Sequence, residues 1–254
     1  MFKDTVARFS NRAENYSKYR PRYPAAVLAL LKERCAFTPE SVVADVGSGT
    51  GILSELFLKN GNIVYAIEPN KEMRDAAEHL LRGYPRFHSL NGTAEAVPME
   101  NRSTDLVAAG QAFHWFDPKR ARAEFSRILK PGGWVVIIWN ERLKVSSPFL
   151  KEYEELLIRY GTDYKEVSKA YPKPAALKAF FAPSVMQTDQ FENTQTFDLE
   201  GLRGRLLSAS YAPDDTHPNH KPMMEKLAGI FEQHQTAGRI LFEYKTHICF
   251  GKLS

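Results

Sequence analysis

Cysteine is almost missing from this chain: Cys35 and Cys249 are its two, far apart, with no Cys-x-x-Cys pair and no histidine pattern beside them. That excludes a disulfide framework, argues against a zinc or other metal site, and fits free thiols in a reducing compartment. Long apolar runs are missing too. Even a run such as Trp134 to Trp139 falls far short of the roughly twenty residues a membrane span needs. Met1-Phe2-Lys3-Asp4 lacks the apolar core of a secretory signal, so a cytoplasmic protein without membrane contact is expected. No charge of one sign dominates. A net charge of +4 is too mild to imply a nucleic-acid partner, while 43% hydrophobic and 25% charged residues over 254 positions suit one globular domain, with or without a small cap.

What is present is concentrated between residues 42 and 51. Val42-Val43-Ala44-Asp45-Val46 reads as a short buried strand and runs into Gly47-Ser48-Gly49-Thr50-Gly51. A helix-like segment follows, with Ile52, Leu53, Leu56 and Phe57 on one face. Strand, glycine turn and helix start is the arrangement that places backbone N–H groups around a ligand. A phosphate loop would need Gly-Lys-Ser/Thr where Ile52 and Leu53 follow Gly51, and a dinucleotide loop would need its third glycine at Ile52. Asp45, two positions before the first glycine, suits a cationic group better than a pyrophosphate. Asn62 to Ile67 reads as a second strand closed by Glu68, well placed to accept both hydroxyls of a ribose. A ribose on Glu68 and a cation near Asp45 together describe S-adenosyl-L-methionine. The plainer alternative is a doubly wound loop with no ligand, Glu68 being a solvated carboxylate.

At these residues the sequence resembles the class I S-adenosylmethionine-dependent methyltransferases. Asp45 to Gly51 is similar to their first motif and Ala66-Ile67-Glu68-Pro69-Asn70 to their second, and the resemblance extends over about residues 40 to 140. It implies an α/β, Rossmann-like, seven-stranded and mostly parallel sheet with helices on both faces and an antiparallel last strand. It also implies cofactor contacts at Asp45, Gly47, Ser48, Gly49, Gly51, Glu68, Pro69 and Met73, at Ala94 and Glu95 beside the adenine, and at Gln111 and Ala112. Tyr19-Arg20-Pro21-Arg22-Tyr23-Pro24 resembles a segment of the small-molecule subgroup typified by trans-aconitate methyltransferase (methyltransferase type 11).

In order along the chain, residues 1–24 form an arm in which Arg8, Arg12, Lys18, Arg20 and Arg22 interleave with Phe9, Tyr16, Tyr19 and Tyr23. It is either a solvated basic arm pinned by its aromatics or a flap over the site; a basic and aromatic segment could also track single-stranded nucleic acid. The cofactor-binding core covers 25–139. In it a helix is expected over 24–34, another capped by Asn70 and ended at Gly83, and one from Asp117-Pro118 to Leu129. Strands are expected at 87–90, 105–109 and 134–139, the last after a break at Pro131-Gly132-Gly133. Residues 140–183 read as a helical cap insertion, with helices after Ser147-Pro148 and over 173–181. The rest of the sheet occupies 184–254: a strand over 185–197, a helix over 199–210, a loop over 212–222 with three prolines, and the last strand over 240–250.

Methyl transfer from a sulfonium needs alignment more than a catalytic group. His114 is the candidate base. With Phe113 and Trp115 it is equally an aromatic wall, the favoured reading because no carboxylate partner is evident. Tyr16, Tyr19, Arg20, Tyr23 and Trp115 are candidate contacts to a small, anionic acceptor, as are Arg205, Ser208 and Tyr211, beside Arg203 and Ser210. O-methylation of such a metabolite is the leading function. The rivals are a nucleic-acid methyltransferase, disfavoured because Gln111-Ala112-Phe113-His114 stands where Asn/Asp-Pro-Pro-aromatic is usual, an NAD dehydrogenase, and a cofactor-binding module without turnover.

Overall fold

A computed structural model describes residues 13–167 and 173–253; Arg8, Phe9 and Arg12 of the arm lie outside them. The strands are β1 (Val42–Val46), β2 (Ile63–Ile67), β3 (Phe87–Leu90), β4 (Thr104–Gly110), β5 (Leu129–Arg142), β6 (Gln187–Phe197) and β7 (Ile240–Gly251). They form one sheet in the order β3-β2-β1-β4-β5-β7-β6. β7 runs antiparallel to both neighbours, and the pairs from β3 to β5 are parallel. Parallel neighbours need crossovers, supplied by α3 (Ile52–Lys59), α4 (Lys71–Leu81) and α5 (Pro118–Ile128). The chain winds outward from β1 to β3 and then returns to lay β4 on β1's other side. Their carboxyl ends therefore part into the crevice where open α/β sheets bind ligands.

Alternation along the strands sends side chains to two apolar layers. Val43, Leu106, Val136 and Ile248 pack with Val27 and Leu31 of α2 (Ala26–Cys35) and with Leu53 and Phe57 of α3. Ala44, Val107, Val135 and Ile137 meet Ala121, Phe125 and Ile128 of α5 on the opposite face. The local signals act as expected. Asn70 accepts the N–H of Met73 at 2.9 Å, and Asp117 caps α5 from the residue before Pro118.

Four expectations change. The arm contains a helix, α1 (Ala13–Tyr19), whose Tyr19 ring lies against Gly204. β5 runs through Pro131-Gly132-Gly133 where a break was expected, because Leu129 already pairs with Thr104 and the ladder absorbs the turn residues as a register shift between Thr104 and Leu106. The stretch 140–183 is not one cap. α6 (Pro148–Tyr160) joins α9 (Leu199–Leu207) and α10 (His220–His234) in a third cluster, next to the short α7 (Tyr164–Val167), whereas α8 (Pro174–Phe181) covers the sheet beside α5. α10 starts inside the expected loop; Pro222 sits in its first turn, where the missing N–H has no helical partner to lose. Met223, Leu227, Ile230 and Phe231 carry its buried stripe, a legible helical spacing.

Candidate active site

The turn after β1 is left-handed at Gly47 and Gly49 (φ 69° and 57°), a conformation open to glycine at little cost. A Cβ on Gly47 would lie 2.6 Å from that of Ala112, whereas one on Gly49 would meet nothing within 4 Å among the described residues. Gly49 thus borders open space. Four of the loop's backbone N–H groups are spent internally. Those of Gly47 and Ser48 go to the Ile67 carbonyl at 2.8 and 3.1 Å, that of Gly51 to Ser48 at 2.9 Å, and that of Gly49 to the Glu68 carboxylate at 2.9 Å.

Glu68 ties two segments together, its other oxygen accepting the Asn70 N–H at 2.9 Å. A carboxylate has about four acceptor positions, so two remain. Burial raises its pKa, and the two N–H bonds oppose that. Asp45 is fully buried; one oxygen takes the Ser54 hydroxyl at 2.6 Å and the other, Oδ1, has no partner among the described residues. Burial lifts its pKa to about 7, against the Ser54 bond and with the help of Glu68. The folded protein thus holds this proton up to about pH 7, while an unfolded aspartate releases it near pH 4. The native state binds more protons across that window, so stability falls as pH rises from about 4 to about 7 and levels off above it. Asp45→Asn should remove the slope. Urea midpoints of the ligand-free protein at pH 8 should then favour the variant, by at most about 4 kcal/mol; a variant less stable than wild type at pH 8 contradicts the assignment.

At the end of β4, Gln111 has φ 58°, an uncommon strain for a non-glycine residue. It is held by its N–H on Ile138 O at 2.9 Å and its side-chain amide on Asn140 O at 3.0 Å. A single 3-10 turn, Phe113–Trp115, then presents His114 and Trp115, their rings 4.5 Å apart. Partial burial pushes the His114 pKa down to about 4, so the imidazole is neutral at pH 7. Tyr23 lies over Gly110 with its phenol, whose pKa burial raises well above 10.

A cavity of about 430 Å³ opens along these strand ends, within the usual range of small-ligand pockets. Asp45, Gly47, Ser48, Gly49, Glu68 and Pro69 line one end. Met73, Ala94, Glu95, Gln111 and Ala112 belong to the same wall, and His114 and Trp115 face the middle. Tyr16, Arg20, Tyr23, Arg205 and Tyr211 come to the cavity from α1, its following turn, α9 and the loop beyond. Four candidates do not line it. Gly51 starts α3 and makes room for Leu81, whose Cδ1 would be 2.5 Å from an added Cβ. Tyr19 packs on Gly204, and Ser208 is buried, donating to Arg205 O at 2.7 Å while its own carbonyl accepts Arg20 Nη2 at 2.9 Å. Arg203 is exposed.

Lining residues that the sequence reading passed over include Asn140, Arg142, Lys144, Tyr164 and Tyr244. Asn140 and Arg142 sit where β5 outruns its expected end, so their signal was the strand's own length. Asn140 also secures the arm, donating to Pro21 O at 3.2 Å, as Asn193 does to Arg22 O at 2.7 Å.

Comparison with known proteins gives this geometry a family. Residues 44–137 match the model of a methyltransferase domain. An uncharacterized methyltransferase of Mycobacterium tuberculosis is 31% identical over 209 residues, 82% of this chain and 79% of that one. One from Schizosaccharomyces pombe is 33% identical over 202 residues, covering 79% and 77%. A malonyl-[acyl-carrier protein] O-methyltransferase of Marinomonas sp. is 32% identical over 134 residues, 51% of this chain and 48% of that one. Among solved structures, one described as a type II methyltransferase of Anaeromyxobacter dehalogenans superposes with a TM-score of 0.67 at 22% identity, over 92% of this chain and 97% of that one. A glycine turn with two carboxylates beside it, and relatives matched over most of their length, lead to one conclusion: the chain belongs to the methyltransferases.

Proposed function

We propose that the protein transfers the methyl group of S-adenosyl-L-methionine to an oxygen of a small anionic metabolite. The observation that carries the cofactor is the pair Asp45 and Glu68 beside a glycine turn whose Gly49 N–H is already taken by the Glu68 carboxylate. The two acceptor positions left on Glu68 match the two hydroxyls of a ribose. The unpartnered Oδ1 of Asp45 suits a cationic end, and the open space over Gly49 has room for a nucleoside. When bound, this cofactor supplies an electrophilic methyl carbon on a sulfonium. The chain's contribution is alignment. Gln111 and Ala112 set the floor beneath the transfer point, Tyr23 closes one side, and α1 with Arg20 roofs the cavity against water.

On the acceptor side Arg20, Arg142, Lys144 and Arg205 line the wall, and Glu154 pairs with Arg142 and Lys144. This surplus of cations favours an anionic acceptor. A carboxylate is ionised at neutral pH and needs no base, and the Marinomonas relative is named for O-methylation of a malonyl group. His114, whose basicity burial lowers and which has no hydrogen bond to a carboxylate among the described residues, is the wall and not the base. His114→Phe should keep at least about a third of kcat/KM, since loss of a general base costs about 10²–10⁴-fold. The assay is methyl transfer from labelled cofactor to a panel of small carboxylic acids, phenols and amines. Exclusive turnover of amines would overturn the oxygen assignment, and a hundredfold loss in the variant would restore the base.

A further inference from the structure

The far end of the cavity holds an arrangement that cofactor binding leaves unused. Four buried polar atoms have no partner among the described residues: Arg142 Nη1, Arg205 Nη1 and Arg20 Nε, whose side chains line the cavity, and the hydroxyl of Tyr153, packed beside Arg142 behind that wall. They come from β5, α9, the turn after α1, and α6. Arg205 and Arg142 are 5% and 8% exposed. The groups converge. The Arg142 guanidinium lies 5.2 Å from the Tyr153 ring centre, the Tyr153 phenol is in the field of both Arg142 and Arg205, and Tyr244 feels Arg205, Arg20 and Arg142. Arg142 has one carboxylate, Glu154, which also takes the Tyr164 hydroxyl at 2.5 Å. Among the described residues Arg205 has none: its Nε bonds the neutral Tyr244 hydroxyl at 3.0 Å, and that hydroxyl donates to Gln195 at 2.9 Å. A guanidinium buried without an anion is costly unless something arrives to pair with it.

Four convergent donors match the four lone-pair positions of one carboxylate. The place is separate from the transfer point. Asn140 pairs with Thr246, and Arg142 with Tyr244, as successive same-face pairs of the β5–β7 ladder. Gln111 bonds at the Asn140 level, so Arg142 stands two residues, roughly 7 Å, further along the strand. We propose that Arg142, Arg205, Arg20 and Tyr153 form a recognition site for a carboxylate of the acceptor that is not itself methylated. The acceptor therefore carries at least two functional groups, an ionised carboxylate in this clamp and a second group facing the methyl. The role as acceptor site rests on the methyltransferase reading above; the clamp's affinity for a carboxylate does not.

The test uses protein saturated with S-adenosylhomocysteine and, as probes, succinate, glutarate and benzoate, each against its uncharged amide. Calorimetry should show the carboxylates binding at least tenfold more tightly than the amides. Arg205→Gln should weaken them at least tenfold and Tyr153→Phe severalfold, with the affinity for S-adenosylhomocysteine within twofold of wild type. Arg205→Met gives an independent readout: if the arginine serves a ligand, its apolar replacement should not lower the Tm of the ligand-free protein, whereas a merely structural arginine would lower it. Equal binding of amides, no binding of any probe, or unchanged binding in both polar variants overturns the clamp. A collapse of S-adenosylhomocysteine affinity in Arg205→Gln overturns it too, by assigning the site to the cofactor's own carboxylate. If wild type binds no S-adenosylhomocysteine, the cofactor reading falls, and the same probes on the free protein still decide the clamp.

Discussion

Glu68→Ala should bind S-adenosylmethionine about a hundredfold more weakly than wild type in calorimetry, with the fold intact. The carboxylate accepts the N–H groups of Gly49 and Asn70, and its remaining acceptor positions are those offered to the ribose. Hydrogen bonds to a charged acceptor contribute about 1.5–3 kcal/mol each, and about 2.8 kcal/mol corresponds to the hundredfold loss. Glu68→Gln should lie between, near tenfold, because an amide keeps one acceptor oxygen and turns a donor toward groups that donate. The ligand-free protein should lose only a few degrees of Tm, since the freed N–H groups border the cavity and can reach water. Unchanged affinity in Glu68→Ala would remove the ribose from this residue and with it the proposed cofactor.

The second large effect is at the glycine turn, where two neighbouring glycines should fail differently. Gly47→Ala should unfold about 5–15 °C earlier. A left-handed alanine costs about 1–2 kcal/mol, and its methyl would lie 2.6 Å from the Ala112 Cβ, an overlap that adds about 1–3 kcal/mol. Gly49→Ala meets no neighbour within 4 Å and bears only the conformational cost, so its Tm should fall by a few degrees. Both should lose cofactor binding, the first because Ala112 is displaced and the second because its methyl enters the ligand's space. Thermal melts with and without S-adenosylhomocysteine separate the two. A Gly49→Ala protein that binds normally would place the ligand elsewhere.

The cofactor end of the cavity was legible because its parts are local. Asp45 to Gly51 is a continuous stretch, and Glu68 closes the next strand, so β1 and β2 pairing in parallel from Val42 with Ile63 to Val46 with Ile67 brings the carboxylate to the loop. The chemistry was readable from residue types, yet the use of the N–H groups was not. Where the donors of Gly47 and Ser48 go depends on the Ile67 carbonyl, a residue on another strand.

The acceptor end was legible only in part. Arg20, Arg205 and Tyr211 stood out as charged or aromatic residues, but Arg142, Tyr153, Lys144, Tyr164 and Tyr244 looked like ordinary surface or core positions. Their meaning depends on β5 extending past Asn140 and on β7 inserting between β5 and β6, neither of which leaves a periodic trace.

By itself, then, the sequence determined the parallel core, the glycine turn and its two carboxylates, since strand propensity, turn chemistry and capping act over a few residues. Tertiary structure alone decided which helices line the cavity, that Glu68 takes the Gly49 N–H, and that guanidinium groups more than a hundred residues apart in the chain, from Arg20 to Arg205, line one cavity. The reason is physical: burial and the convergence of unpaired groups are properties of packing between distant segments, and no local pattern encodes them.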